Sequence, residues 1–207
     1  MPTHDSRGDA WRGLRLKDRI APGVRVLFVG INPGVRSAQT GHHFAGYSNR
    51  FWKLLWDARL VPEPLTYEQD VRLPAFGYGI TNLIARPTPG IDTLSPAEYA
   101  AGWKVLEKKI RRVRPEVVAL VGVTVWRAIL PLVAMEEDER RRLSRAPCPG
   151  PVPLTIHGAR VFVLPNPSGR NANFSYDEML SAFRRLRRWR APRESASPPR
   201  RAAPASR

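Results

Sequence analysis

Three short apolar runs, separated by segments with helical spacing, constrain this chain more than any other feature. They are Arg25–Gly30, Gly79–Ile84 and Glu116–Gly122. The first and third are apolar almost throughout, the pattern of strands buried on both faces rather than one. Between them, Arg50–Arg59 sets Phe51, Leu54, Leu55 and Ala58 at helical intervals. Ser95-Pro-Ala-Glu98 is a capping box with proline at the first helical position, and it opens a helix expected to reach about Arg114. Another helix is expected from Val125 to Leu130. Leu154–His157 and Arg160–Leu164, split by Gly158, read as a hairpin or as one bent strand. Ser175–Glu178 is a second capping box, and Met179, Leu180, Phe183 and Leu186 give the last helix its apolar face.

Strands alternating with helices imply an α/β fold of three layers, α/β/α, around a central, mainly parallel sheet. A chain of 207 residues supports one core of this kind, not two. The expected division is a flexible arm over 1–23, with a helical turn near Leu14–Arg19, a single domain over 24–190 and a disordered basic tail over 191–207. That tail is rich in Pro, Ala, Ser and Arg. In open parallel sheets ligands bind beyond the carboxyl ends of the strands. Two peptides that suit neither helix nor strand fall there. Gly30-Ile-Asn-Pro-Gly34 follows the first strand and Pro165-Asn-Pro-Ser-Gly-Arg-Asn171 follows the last. Their convergence locates the site.

The net charge of +16 points to a polyanionic partner, nucleic acid above all. The excess is carried mostly by arginine, so coding bias in a GC-rich genome is the competing explanation. Nine arginines against one glutamate lie between Arg184 and Arg207. The Arg184-Arg-Leu-Arg-Arg188 segment is either a phosphate-facing stripe or a solvated face. Cys148 is the only cysteine, which excludes an internal disulfide, a multi-cysteine zinc site and a cysteine-ligated cluster. His42 and His43 are adjacent and have no third ligand at a suitable spacing, so no metal is expected. No run approaches the ~18 apolar residues of a membrane span, and the first residues lack the apolar stretch of a signal peptide. A cytoplasmic, nucleoid-associated location and a monomer are expected.

Taken singly, Asn-Pro-Gly and Asn-Pro-Ser-Gly are ordinary turns. The first loop has neither a dinucleotide fingerprint nor the Lys-Ser/Thr of a phosphate-binding loop. In order, however, Gly30–Gly34, Thr40-Gly-His-His-Phe44, Asn49-Arg-Phe-Trp52, Arg86-Pro-Thr-Pro-Gly90 and Asn166-Pro-Ser-Gly169 resemble the mismatch-specific uracil-DNA glycosylases. That family includes thymine-DNA glycosylase and lies within the uracil-DNA glycosylase superfamily. The likeness runs from about Val24 to Trp189. It implies a uracil-DNA glycosylase-like fold and hydrolytic removal of uracil from mismatches with guanine in duplex DNA, without cofactor or metal. A monofunctional enzyme is expected, since no lysine stands at a nucleophile position.

The resemblance assigns roles residue by residue. Asn32 would position the attacking water, because an amide cannot take up a proton as a carboxylate does. Gly30 and Ile31 would line the base pocket, Phe44 would stack on the flipped base, and Ser37 would approach C5 of the ring. Asn166 and Ser168 belong to the second loop's part of the pocket. Gly169 and Asn171 match positions whose backbone reads the opposite guanine. Arg170 stands where some relatives carry a leucine wedge. A guanidinium there would fill the gap left by the flipped base, or serve only as a surface charge. Asn82 replaces a lysine of some relatives. Asp92, two residues past Gly90, is a further catalytic candidate, with a plain turn aspartate as its bland reading. The competing functions are a DNA-binding module of the same fold without turnover, and a kinase or nuclease. The latter needs metal-binding carboxylates, and the acidic cluster Glu136–Glu139 lies in what reads as a charged linker.

Overall fold

In a computed structural model, residues 10–190 are described. Five strands form one sheet in the order β2-β1-β3-β5-β4, with β1 Val26–Gly30, β2 Tyr78–Asn82, β3 Val117–Val121, β4 Gly150–Ile156 and β5 Ala159–Leu164. The four strands β2, β1, β3 and β5 run parallel, and β4 pairs antiparallel with β5 at the edge. The segment split by Gly158 is therefore a hairpin. Its first strand begins earlier than the apolar signal, at Gly150. Two prolines, Pro151 and Pro153, mask it, and an edge strand tolerates them because one side of its ladder is unpaired.

Alternate residues of the parallel strands feed two separate cores. Val26, Phe28, Ile80, Ala119 and Phe162 point to one face, beneath α2 (Phe51–Asp57) and α6 (Tyr176–Arg190). Leu27, Val29, Val118, Leu120 and Val161 point to the other, against α3 (Pro96–Val113) and α4 (Val123–Ile129). Burial of both faces is why the strands read as unbroken apolar runs. The three-layer α/β/α arrangement expected from the sequence is present. The Ser95 box forms as read, with Ser95 Oγ accepting from the Glu98 N–H at 3.3 Å and Glu98 accepting from the Ser95 N–H at 2.9 Å. The acidic stretch read as a linker is instead α5, Glu137–Ser144, with three acidic residues in its first turn and two arginines in its last.

The expected loose arm needs correction over residues 14–20. The described helical turn is a short 3-10 segment at Ala10–Gly13, not Leu14–Arg19. Beyond it the chain is tied down. Arg19 bridges Ile80 of β2 through paired backbone hydrogen bonds of 2.9 Å, and Asp18 accepts from Thr81 Oγ1 at 2.6 Å and pairs with Lys109 at 2.8 Å. Polar side chains anchor this segment, which is why its low hydrophobicity misled. The first part of the arm and the tail over 191–207 lie outside the described residues.

Candidate active site

The parallel strands all deliver their carboxyl ends to one edge, and β1 lies between β2 and β3, where successive connections diverge. Loops beyond that edge enclose a cleft of ≈ 250 Å³. Its floor is the 30–34 loop, which is no loose turn. The parallel ladder continues through it, with Leu83 N donating to Gly30 O, Ile84 N to Ile31 O and Thr88 N to Pro33 O, all at 2.8–3.1 Å. A side chain at Gly30 would displace the Asn82 amide. A Cβ there would lie 2.5 Å from Asn82 Oδ1 and 3.8 Å from the Phe44 ring.

Asn32 projects into this cleft with its amide nitrogen held on three sides. Nδ2 donates to Thr88 Oγ1 at 2.7 Å and to the carbonyls of Pro33 and Arg86 at 3.2 Å. Thr88 in turn donates to the Gly90 carbonyl. With Nδ2 so engaged, Oδ1 makes no hydrogen bond among the described residues and is left as an acceptor. Thr88, 3% exposed, lines the cleft beside Asn32 and is a further candidate site residue, absent from the set expected from the sequence. Its signal was the threonine within Arg86–Gly90.

The 41–49 loop forms one wall. Phe44 takes up a left-handed backbone, φ +53°, and stacks on Phe51 with centroids 4.0 Å apart. Such a conformation persists only where surroundings over-determine it, and here they do. Asp70, fully buried, accepts from Arg19 Nε at 2.8 Å and from the His43 N–H at 2.9 Å, and lies 3.0 Å from His42 Nδ1. Trp52 Nε1 donates to the His43 carbonyl at 3.1 Å. Ser37, in α1 (Val35–Thr40), lines the cleft with its Oγ accepting from the Ala45 N–H at 3.1 Å.

His43 also lines the cleft and is 1% exposed. Burial drives its pKa down to about 4 from the ordinary 6.5, against the raising effect of its Nε2 contact with the Lys17 carbonyl at 3.0 Å. The ring is therefore neutral near pH 7, with Nε2–H donating to that carbonyl and Nδ1 bearing a lone pair. A folded pKa below the unfolded one means that the unfolded chain takes up the proton first. Stability should be level in this respect above pH 6.5 and fall by roughly 3 kcal/mol as the pH drops from 6.5 to 4. Urea unfolding at pH 7 and pH 4.5 is expected to show that His43→Gln removes much of this acid-side loss. An unchanged pH slope in the variant would count against the assignment.

The opposite wall is the 165–171 loop, folded on itself by side-chain turns. Asn166 Oδ1 accepts from Ser168 N at 3.1 Å and Asn171 Nδ2 donates to the Asn166 carbonyl at 2.8 Å. The two walls are clasped together. Arg50 N donates to the Pro167 carbonyl at 2.9 Å, and a Cβ on Gly169 would lie 2.4 Å from Ser48 Cβ. Arg170 reaches across the mouth to the Pro89 carbonyl at 3.4 Å.

Gly30, Ile31, Asn32, Ser37, Phe44, Asn166, Ser168 and Arg170 thus converge on one cleft, together with Asn82 and Thr88. Asn171 and Asp92 line an adjoining groove of ≈ 380 Å³ that shares Gly90, Asn166, Ser168 and Arg170 with the cleft. Asp92 is exposed, in a 3-10 turn at Ile91–Thr93, and its carboxylate would sit 3.1 Å from a Cβ on Gly90. Gly169 serves the clasp between the walls. Among the described residues, no group of three or more His, Cys, Asp or Glu side chains is placed to hold a metal ion.

The sheet thus carries at its carboxyl edge a small cleft lined by one aromatic ring, Phe44, and by the amides of Asn32, Asn82 and Asn166. The family model of the uracil DNA glycosylase superfamily matches residues 18–187, and the chain belongs to that superfamily. Membership carries glycosylase chemistry, hydrolysis of a base–sugar bond in DNA, and with it a part in base excision repair. No described helix is long and apolar enough to cross a membrane.

Proposed function

We propose that the protein is a monofunctional, monomeric glycosylase that removes uracil from mismatches with guanine in duplex DNA, leaving an abasic site. The observation that carries this reading is the locked Asn32 amide, which lines a cleft of ≈ 250 Å³ and whose Oδ1 has no hydrogen bond among the described residues. The anomeric carbon is out of reach inside the stack, so the nucleotide is flipped into the cleft. The ring stacks against Phe44, and the Asn82 amide, packed over Gly30, meets its polar edge. Asn32 Oδ1 accepts a hydrogen bond from water and aims its lone pair at the anomeric carbon. As the C–N bond breaks, its electron pair leaves on the base, and backbone N–H groups of the loop stabilise the anion. The water oxygen bonds to the anomeric carbon and gives one proton to bulk solvent, and the base anion takes up a proton from solvent and leaves as uracil. Ser37 meets C5 of the ring and sets how well a methyl group is tolerated.

Arg170 fills the space left in the duplex, while the backbone at Gly169 and Asn171 meets the orphaned guanine. The opposite base should therefore matter. Single-turnover assays on duplexes carrying G:U, A:U and G:T are expected to show release from G:U and none from A:U. Equal release from G:U and A:U would refute the mismatch preference. Asp92 acts from the adjoining groove, where a solvated carboxylate stabilises the positive sugar only at a distance. Asp92→Asn should lower the single-turnover rate a few-fold, roughly 3-fold by screened charge, without weakening DNA binding. An unchanged rate would remove Asp92 from the mechanism.

A further inference from the structure

Arg86 joins two parts of the fold, its backbone at the cleft and its side chain at α3. Its carbonyl accepts from Asn32 Nδ2 at 3.2 Å, beside the Thr88 hydroxyl that accepts from the same amide at 2.7 Å. Its guanidinium reaches the amino end of α3. Nε donates to Glu98 Oε1 at 2.7 Å, and Nη2 donates to Glu98 Oε2 at 3.1 Å and to the Thr93 carbonyl at 3.0 Å. Such a two-pronged, charge-assisted pairing fixes direction as well as distance. Glu98 also caps α3, accepting from the Ser95 N–H at 2.9 Å. The guanidinium holds its carboxyl down to about 2, so both partners are charged at any working pH. The helix is a firm anchor. Trp103, Leu106 and Ile110 are buried in the core, and a Cβ on Gly102 would run into the Leu83 carbonyl just before the loop. The loop is less firm. Ala85, Arg86 and Pro87 make no backbone–backbone hydrogen bond among the described residues. The Arg86 side chain supplies the polar tie that this stretch lacks in its backbone.

We propose that Arg86 and Glu98 are positioning residues for the Asn32 amide. Their ion pair clips to the end of α3 the loop that carries the Arg86 carbonyl and the Thr88 hydroxyl. The inference rests on the glycosylase reading above, in which Asn32 aims the water. The two side chains are 37% and 31% exposed, and ion pairs so placed add little to stability. The effect of this one is on geometry. A displacement of about 1 Å at an aimed group costs up to about 10²-fold in rate. Neither Arg86 nor Glu98 needs to touch DNA to exert it.

The test reads the amide and the reaction separately. In protein labelled with ¹⁵N at asparagine, the Asn32 side-chain NH2 signal is assigned by its loss in Asn32→Ala. It is expected to move in Glu98→Gln, which keeps an acceptor for the Ser95 N–H, although Glu98 has no hydrogen bond to Asn32. In single turnover on a G:U duplex at saturating enzyme, Arg86→Ala should release uracil about tenfold more slowly. Its affinity for a duplex carrying 2′-fluoro-2′-deoxyuridine, whose electron-withdrawing fluorine blocks cleavage, should stay within about twofold of wild type. Placed in Asn32→Ala, the same substitution should cost nothing further, because the amide it positions is gone. An unmoved Asn32 signal in Glu98→Gln would overturn the proposal. So would an unchanged rate in Arg86→Ala, or a tenfold loss that persists in the Asn32→Ala background. Failure of wild type to release uracil would defeat the glycosylase reading instead, and the Asn32 signal would still decide whether the pair positions the amide.

Discussion

Asn32→Ala is expected to slow uracil release in single turnover by about 10²–10³-fold, with DNA affinity nearly unchanged. The alanine leaves the 30–34 loop in place, because that loop is held by backbone bonds to Leu83, Ile84 and Thr88 and not by the Asn32 side chain alone. What it removes is the one acceptor aimed from a fixed amide, so water is no longer oriented toward the sugar. Thr88→Val probes the same feature one step back. It keeps the shape of Thr88 and deletes the acceptor of the 2.7 Å bond that fixes the amide's orientation. The rate should fall less than in Asn32→Ala, in saturating conditions where binding is not limiting. An Asn32→Ala enzyme with an unchanged single-turnover rate would take the water-positioning role away from this residue.

Asp70→Ala carries the largest expected cost in stability. The carboxylate is fully buried and gathers Arg19, His42 and the His43 backbone N–H from two separate stretches of chain. Its removal leaves a half-buried guanidinium and an inward-facing N–H without their shared partner. Because Arg19 keeps a second bond to the Gly41 carbonyl at 2.7 Å and some contact with water, the loss stays near the lower end for buried pairs, about 3 kcal/mol. For a domain of this size that is roughly 10 °C in melting temperature. The functional consequence is expected alongside. Asp70 fixes the loop that forces Phe44 into its left-handed backbone, so the base wall loosens and KM should rise more than kcat falls. A variant that melts within a degree or two of wild type would show that the cluster is not an organising centre.

The legibility of the sequence differed from element to element for physical reasons. The β1 and β3 strands and the α3 helix were visible because their signals are local. Both faces of those strands are buried, and Ser95, Pro96 and Glu98 carry the helix start within four residues. The start of β4 was hidden because prolines oppose strand formation except at an edge, and edge position is a tertiary fact. The packing of residues 14–20 was hidden for a similar reason. Its anchors are ion pairs and hydrogen bonds to Asp70, Thr81 and Lys109, far along the chain. At the site, the composition of the two loops marks them as neither helix nor strand, and Asn32, Phe44 and Asn166 line one cleft. What could not be read were the supports. Thr88 orients the Asn32 amide from 56 positions away, Asp70 orders the 41–44 loop, and burial keeps His43 neutral. Such partners are specified by three-dimensional proximity alone. Asp92 shows the converse, since nearness in sequence to Gly90 brought it to the adjoining groove and not to the cleft that holds Asn32.

The measurement that bears most directly on the central claim is detection of the free base. A G:U duplex is incubated with excess enzyme in EDTA, and the products are separated and identified by mass. Stoichiometric free uracil and an intact strand bearing one abasic site are expected, formed without added metal and lost in Asn32→Ala. Bound but unaltered duplex would contradict it and leave a DNA-binding protein without turnover. Strand scission that depends on magnesium would contradict it too.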